Sequence, residues 1–205
     1  MSADVNPAPA RQGFAEPWRE RMPLPAAEAM SAQQRGAAEA LIAGPRKGVY
    51  GPFLPLLRSP DLLDRVAKVG EYLRFDSVLE PRIRELVTCA CARHVTNQFE
   101  WTMHVPLALK AGVSAATLEA LQAGARPKGL PADEELALDF TAELLHTHGT
   151  SEPTYVAATS LFGEQGIVEL TTLIGYFVMV SWLMNVAHTP AQANAQAASL
   201  QAFPL

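Results

Sequence analysis

Apolar residues along this chain recur at intervals of three and four and almost nowhere in strict alternation, so the pattern predicts helices and no sheet. Ser31-Ala32-Gln33-Gln34 carries the signature of a capping box, and the helix it opens runs to Ala43, where Gly44-Pro45 stops it. The stretch from Gly44 to Leu57 holds Gly48, Gly51, Pro52 and Pro55 and reads as a connector rather than a helix. Ser59-Pro60-Asp61 is a second start, with proline at the first helical position and an acid in the first turn. Leu62, Leu63, Val66, Val69, Tyr72 and Leu73 then recur at helical spacing. Glu80-Pro81 begins a further helix striped by Ile83, Leu86, Val87 and Ala90. Asn97 is placed to cap the next, which carries Phe99, Trp101, His104 and Ala108. Pro106 lies inside that pattern and is expected to kink it or to set a boundary nearby. Gly112 suits the end of that helix and Ser114 the start of a short one to Gln122. Helices over 131–148, 151–162 and 163–187 complete an all-α chain.

The last helix includes Ile167 to Val186, an almost continuous apolar run. Glu169, Thr171, Thr172, Ser181 and Asn185 interrupt it and no basic cluster flanks it, so burial in a core or an oligomer fits better than a membrane span. Residues 1–25, with Pro7, Pro9, Pro17, Pro23 and Pro25 and no apolar period, read as an irregular arm; residues 26–205 read as a single all-α domain. The arm lacks the basic start and apolar block of a secretory signal, which makes a cytoplasmic location the expectation. Charged residues make up 18% of the chain, below the usual ~25%, as expected when part of the surface is covered by further copies. A net charge of −5 without any basic run argues against nucleic acid as a partner. Cys89 and Cys91 lie two apart on a helix and point to nearly opposite faces, so they read as buried, inert thiols.

Candidate chemistry gathers in one stretch. On a helix, Asn97, Glu100, His104 and Ala108 share a stripe, and Glu100 and His104 form an i,i+4 pair in which a carboxylate can orient an imidazole. Glu85, one helix earlier, reaches the same place if the two helices pack antiparallel. Carboxylate-oriented imidazoles serve in general acid–base catalysis. The same pair on a helix surface is also a common structural feature, contributing only ~0.2–0.5 kcal/mol. Two carboxylates and one imidazole could hold a metal, yet neither His-Glu-x-x-His nor a repeated Glu-x-x-His occurs. A second imidazole would have to come from His94, His146, His148 or His188, and neither metal nor cofactor is expected. Glu85-Leu86-x-Thr88 with His104 is echoed by Glu169-Leu170-x-Thr172 with His188, which two helical half-repeats or chance matching would each produce.

Residues 85–114 resemble the core motif of the carboxymuconolactone decarboxylase-like family, which includes the alkylhydroperoxidase-D-like proteins. Arg84-Glu85-Leu86-Val87, then Asn97, His104, Ala108 and Gly112-Val113-Ser114 carry the likeness. The resemblance implies an all-α alkylhydroperoxidase-D-like fold that assembles into homo-oligomers. Redox members place a Cys-x-x-Cys ahead of the His; here those positions are Asn97 and Glu100, which excludes the dithiol peroxidase mechanism. Cys89 and Cys91 sit two turns earlier and do not replace them. The decarboxylase branch implies a lyase acting on a small carboxylated or lactone-like compound from aromatic catabolism. In that reading His104 transfers the proton, Glu100 orients it and Glu85 tunes or shares it. Asn97 hydrogen-bonds the substrate, Trp101 forms an apolar wall and Ala108 leaves room, while protonated His104, Arg84 or Arg93 meets a negative charge. The expected partners are a small-molecule substrate and further copies of the chain, with no membrane. Two rivals remain: a non-catalytic oligomer that binds a ligand or protein through the same pocket, and a peroxidase-type activity through Cys89 or Cys91.

Overall fold

The computed structural model describes residues 19–192 and 194–200. Among them the α-helices are α1 (Ala32–Ala43), α2 (Phe53–Leu56), α3 (Pro60–Glu71), α4 (Pro81–His94), α5 (Gln98–Ala111), α6 (Ala115–Gln122), α7 (Ala132–Thr147) and α8 (Glu152–Ala187). No strand forms among the described residues; Asn194 and Ala197 make an isolated bridge. The helix starts follow their capping chemistry. Ser31 accepts from the Gln34 amide at 3.2 Å while the Gln34 side chain accepts from the Ser31 amide at 2.9 Å, which satisfies two orphan donors of α1 reciprocally. Asn97, Ser114 and Ser151 cap α5, α6 and α8 by accepting from the amides of Glu100, Thr117 and Thr154.

Two expectations are corrected and a third holds. The connector over 44–57 contains α2, because Pro52 and Pro55 fall at its cap and in its first turn, where a missing N–H costs nothing. Pro106 neither ends nor divides α5. It removes the partner of the Thr102 carbonyl, and Asn194 Nδ2 donates to that oxygen instead at 3.4 Å. The helices expected over 151–162 and 163–187 are present as the two halves of α8, which meet at a break at Gly163. Its φ of 72° and ψ of 170° place it in a region essentially reserved for glycine, so the chain bends there without a loop.

α4, α5, α7 and α8 pack side by side around the core, and α1–α3 cover one flank. Leu170, Leu173, Ile174, Phe177 and Met184 of α8 are buried, with Val87 and Cys91 of α4 in the same interior. α8 is long and apolar enough to cross a membrane by length and composition, but its polar interruptions and these buried residues fit a core helix. A smaller cluster holds Leu86, Cys89, Trp101, Val105, Ala108 and Val113 on the other side of α5. Arg82 at the start of α4 pairs with Asp133 and the buried Glu134, tying α4 to the start of α7.

Of the arm expected over 1–25, residues 1–18 lie outside the described residues. Residues 19–26 form no helix. They lie along their own chain: the Arg21 amide donates to Ala187 O at 2.8 Å, and Arg58 donates to Pro23 O at 2.6 Å.

Candidate acid–base site

α4 and α5 pack against each other, joined by a short turn, and this brings Glu85 to His104. His104 Nδ1 lies 2.6 Å from Glu85 Oε2, and Nε2 lies 3.1 Å from Glu100 Oε2. The imidazole is thus held at both nitrogens by carboxylates, one from each helix, and its ring meets Phe177 of α8 edge-on at 5.0 Å. His104 and Glu100 are both buried. Burial works against a charged imidazole, but Glu85 and Glu100 outweigh it and raise the His104 pKa to about 9. Burial also works against a charged Glu85, whose pKa is nonetheless lowered by the His104 charge and hydrogen bond, then by Arg74 and Arg84. At neutral pH the cluster is therefore an imidazolium between carboxylates.

Glu100 and His104 line a cavity of about 30 Å³, with Arg46, Tyr50, Phe53, Arg74, Tyr176 and Phe177 among its other walls. That volume has room for one or two waters. Two guanidiniums thus face a cluster with one more carboxylate than cation. Arg74 reaches the cavity because α3 runs on into a π-helical turn, Tyr72–Asp76. Glu169 of α8 anchors that turn: Tyr72 Oη and Ser77 Oγ each donate to it at 2.6 Å, and the Val78 amide at 2.8 Å. Arg46 sits 4.4 Å over the Phe53 ring and donates to Ala67 O at 3.1 Å. Gly70 makes room for the Tyr176 ring, since a Cβ there would fall 2.1 Å from Tyr176 Oη.

The other residues expected at the site lie elsewhere. Asn97 is fully buried but spent on structure: Oδ1 accepts from the Glu100 amide at 2.9 Å, and Nδ2 donates to Ser181 O at 3.0 Å and to Asn185 Oδ1 at 2.9 Å. Trp101 donates to Ala198 O at 2.9 Å and joins Ala108 in the smaller apolar cluster. None of the three lines the cavity. Arg84 and Arg93 do not line it either; Arg93 borders a separate cleft with His94 and His146. The cations at the cavity are Arg46 and Arg74, which sequence reasoning missed. The only advance signal was an arginine in each of two segments without a clear helical period. Cys89 and Cys91 are fully buried, and burial pushes the Cys91 pKa up to about 12 and Cys89 well above its ordinary value. The echo at Glu169 and His188 does not form a second pair. Glu169 holds the Tyr72–Val78 turn, and His188 ends α8 with Nδ1 3.1 Å from Arg19 O.

The helical arrangement defines an all-α protein of alkylhydroperoxidase-D-like fold. It is similar to the alkylhydroperoxidase AhpD core structure of an uncharacterized peroxidase-related protein from Ralstonia eutropha JMP134, with a TM-score of 0.64, 17% identity, and 81% of this chain and 88% of that one covered. An uncharacterized peroxidase-related protein from Silicibacter sp. TM1040 superposes with a TM-score of 0.67 at 17% identity, covering 92% of this chain and 100% of that one. Residues 60–143 match the model of the carboxymuconolactone decarboxylase family. The segment carries Arg74, Glu85, Glu100 and His104; Arg46, Tyr50, Phe53 and Tyr176 come from outside it. No curated protein matches the chain.

Proposed function

We propose that this protein is a cytoplasmic acid–base enzyme that transfers a proton at carbon in a small carboxylated or lactone-like compound, as a decarboxylase of aromatic catabolism does. The observation that carries the reading is the imidazolium of His104 bound at both nitrogens by Glu85 and Glu100 beside a small cavity. Loss of carbon dioxide from a carboxylate leaves an electron pair on carbon, delocalised as an enolate, and a proton must replace the broken C–C bond. His104 supplies that proton from Nε2, directly or through Glu100, and Glu85 holds the ring from Nδ1 and stabilises its charge. This extends the expected role of Glu100, which borders the cavity as well as orienting the ring. Arg46 and Arg74 offset the negative charge of substrate and enolate.

The test is turnover of a panel of lactones and small carboxylates, followed by carbon dioxide release. His104→Gln is expected to lower kcat by about 100-fold or more. Because that change leaves two carboxylates facing a neutral side chain, Glu85→Gln/His104→Gln is the folded control. Unchanged turnover in either variant overturns the assignment. One observation favours a non-catalytic ligand-binding protein instead: the cavity as it stands is smaller than any such substrate. Saturable binding of panel members without any turnover would decide for it.

We also propose that the chain works as a homo-oligomer. α8 exposes Val168, Gly175, Met179, Trp182 and Val186 along one narrow face, at spacings that return to the same side of a helix.

A further inference from the structure

Arg46 borders two cavities at once. One is the ~30 Å³ space over Glu100 and His104. The other is a cleft of about 220 Å³ between α1, the turn at Gly44-Pro45-Arg46 and α3. Arg46 is the residue common to both linings. The inner space admits only a water or two, whereas the outer one approaches the lower end of small-ligand pockets, about 300 Å³.

The guanidinium is held in place by weak ties. It lies over the Phe53 ring, donates to the Ala67 carbonyl at 3.1 Å and approaches the Tyr176 hydroxyl. Its Nε is buried with no hydrogen-bond partner, and among the described residues no carboxylate pairs with it. An arginine cation in such a position gains most from a carboxylate, which its planar fork binds through two parallel hydrogen bonds. In the cleft, Lys68 and Asp64 pair with each other at 2.7 Å and cancel, and Glu71 adds a negative charge. That balance admits a single carboxylate in preference to a dianion.

We propose that Arg46 is the carboxylate anchor and the gate of the site: a small monocarboxylate enters through the α1–α3 cleft, pairs with the guanidinium, and draws it away from Phe53 and the Ala67 carbonyl. The cleft and cavity then join, and the carbon beside the carboxylate comes to Glu100 and His104. This deepens the acid–base reading and rests on it for the purpose of entry. Because Arg46, Tyr50 and Phe53 lie outside residues 60–143, the substrate is selected by a segment beyond the family match.

The His104 ring N–H protons, each shared with a carboxylate, report the gate without reference to turnover. Their exchange with solvent is measured by NMR with benzoate as the probe and benzamide as its neutral counterpart. In the native protein, benzoate is expected to change the exchange rate saturably and benzamide to leave it unchanged. Arg46→Met is expected to speed basal exchange by about tenfold or more and to abolish the benzoate response; Arg46→Lys retains part of it. Ala40→Trp, which fills the outer cleft and leaves Arg46 in place, is expected to abolish the response as well. Basal exchange unaltered in Arg46→Met, or a benzoate response that survives Ala40→Trp, overturns the proposal. If Arg46→Met does not fold, Ala40→Trp decides alone. The two readings fail separately. An exchange pattern as expected with no turnover across the substrate panel leaves the gate and removes the acid–base enzyme. Turnover with a benzoate response indifferent to Arg46 does the reverse.

Discussion

His104 is the residue on which both chemistry and stability turn. Its pKa rises from an ordinary value near 6.5 to about 9 because Glu85 and Glu100 favour the charged ring more than burial disfavours it. A group raised on folding contributes stability that is fully present below its unfolded pKa and is lost as pH climbs through the folded one. The His104 contribution is therefore expected to be complete below pH ~6.5 and to fade toward pH 9, and the ring resonances to titrate near 9. NMR titration checks the second point and denaturation at a series of pH values the first; a midpoint near 6.5 would sink both. This residue and its partners were legible in the sequence, since i,i+4 spacing and one antiparallel helix pair suffice to bring them together. Asn97, Trp101 and Ala108 were not, and the reason is angular. The cavity face of α5 is set by Phe99, Glu100, Met103 and His104, whereas Trp101, Val105 and Ala108 form the face turned to the smaller core. Ala108 lies one step beyond His104 toward Trp101, so a stripe drawn on the helix straddles two environments. Asn97, at the helix end, is consumed by capping and by α8.

At the scale of elements, the starts and stops of most helices follow from caps and prolines that can be read directly. What escaped was backbone whose conformation depends on a distant partner. The π-helical turn Tyr72–Asp76 exists because Glu169, nearly a hundred positions later, collects Tyr72, Ser77, Val78 and Gln165 around one carboxylate. These bonds hold Glu169 near pKa 2, overcoming the burial that would raise it. A group depressed on folding contributes stability that is present above its unfolded pKa and lost as pH falls through the folded one. Glu169→Gln is therefore expected to destabilise by about 2 kcal/mol at pH 7, in the range for hydrogen bonds to a charged group. It should also remove part of the native protein's loss of stability between pH ~4.5 and 2. Urea denaturation at both ends of that range is the measurement. Equal stability at pH 7 would show that the turn holds itself. The same variant frees Arg74 from its fixed place at the cavity, so the element that α8 anchors is also one that sets the site's charge.

For the whole molecule, the sequence left α8 ambiguous because an apolar residue at nearly every position hides which side is covered. The fold separates the two sides. Leu170, Leu173, Ile174, Phe177 and Met184 go inward, whereas Val168, Trp182 and Val186 are each more than half exposed. These three, with Gly175 and Met179 between them, line a stripe roughly 27 Å long at 1.5 Å per residue. Exposed apolar surface of this kind, interrupted only by Thr171 and Thr172 near its start, marks an interaction face, and a stable dimer needs about 800 Å² from each partner. A self-complementary stripe, with a glycine near its centre that permits close approach, fits a second copy of α8 crossing the first. Trp182 is the largest side chain on it and the natural anchor, as buried tryptophans are at interfaces. Trp182→Glu places a carboxylate where a copy would bury it, and sedimentation velocity is expected to shift from an oligomer to a monomer. Trp182→Phe, which keeps the apolar surface, should leave the oligomer in place. If the native protein and Trp182→Glu sediment alike, the stripe is not the contact. The cavity lies between the 46–53 segment, the 72–76 turn, α5 and the other side of α8, so dissociation of this face is expected to leave the His104 titration unchanged.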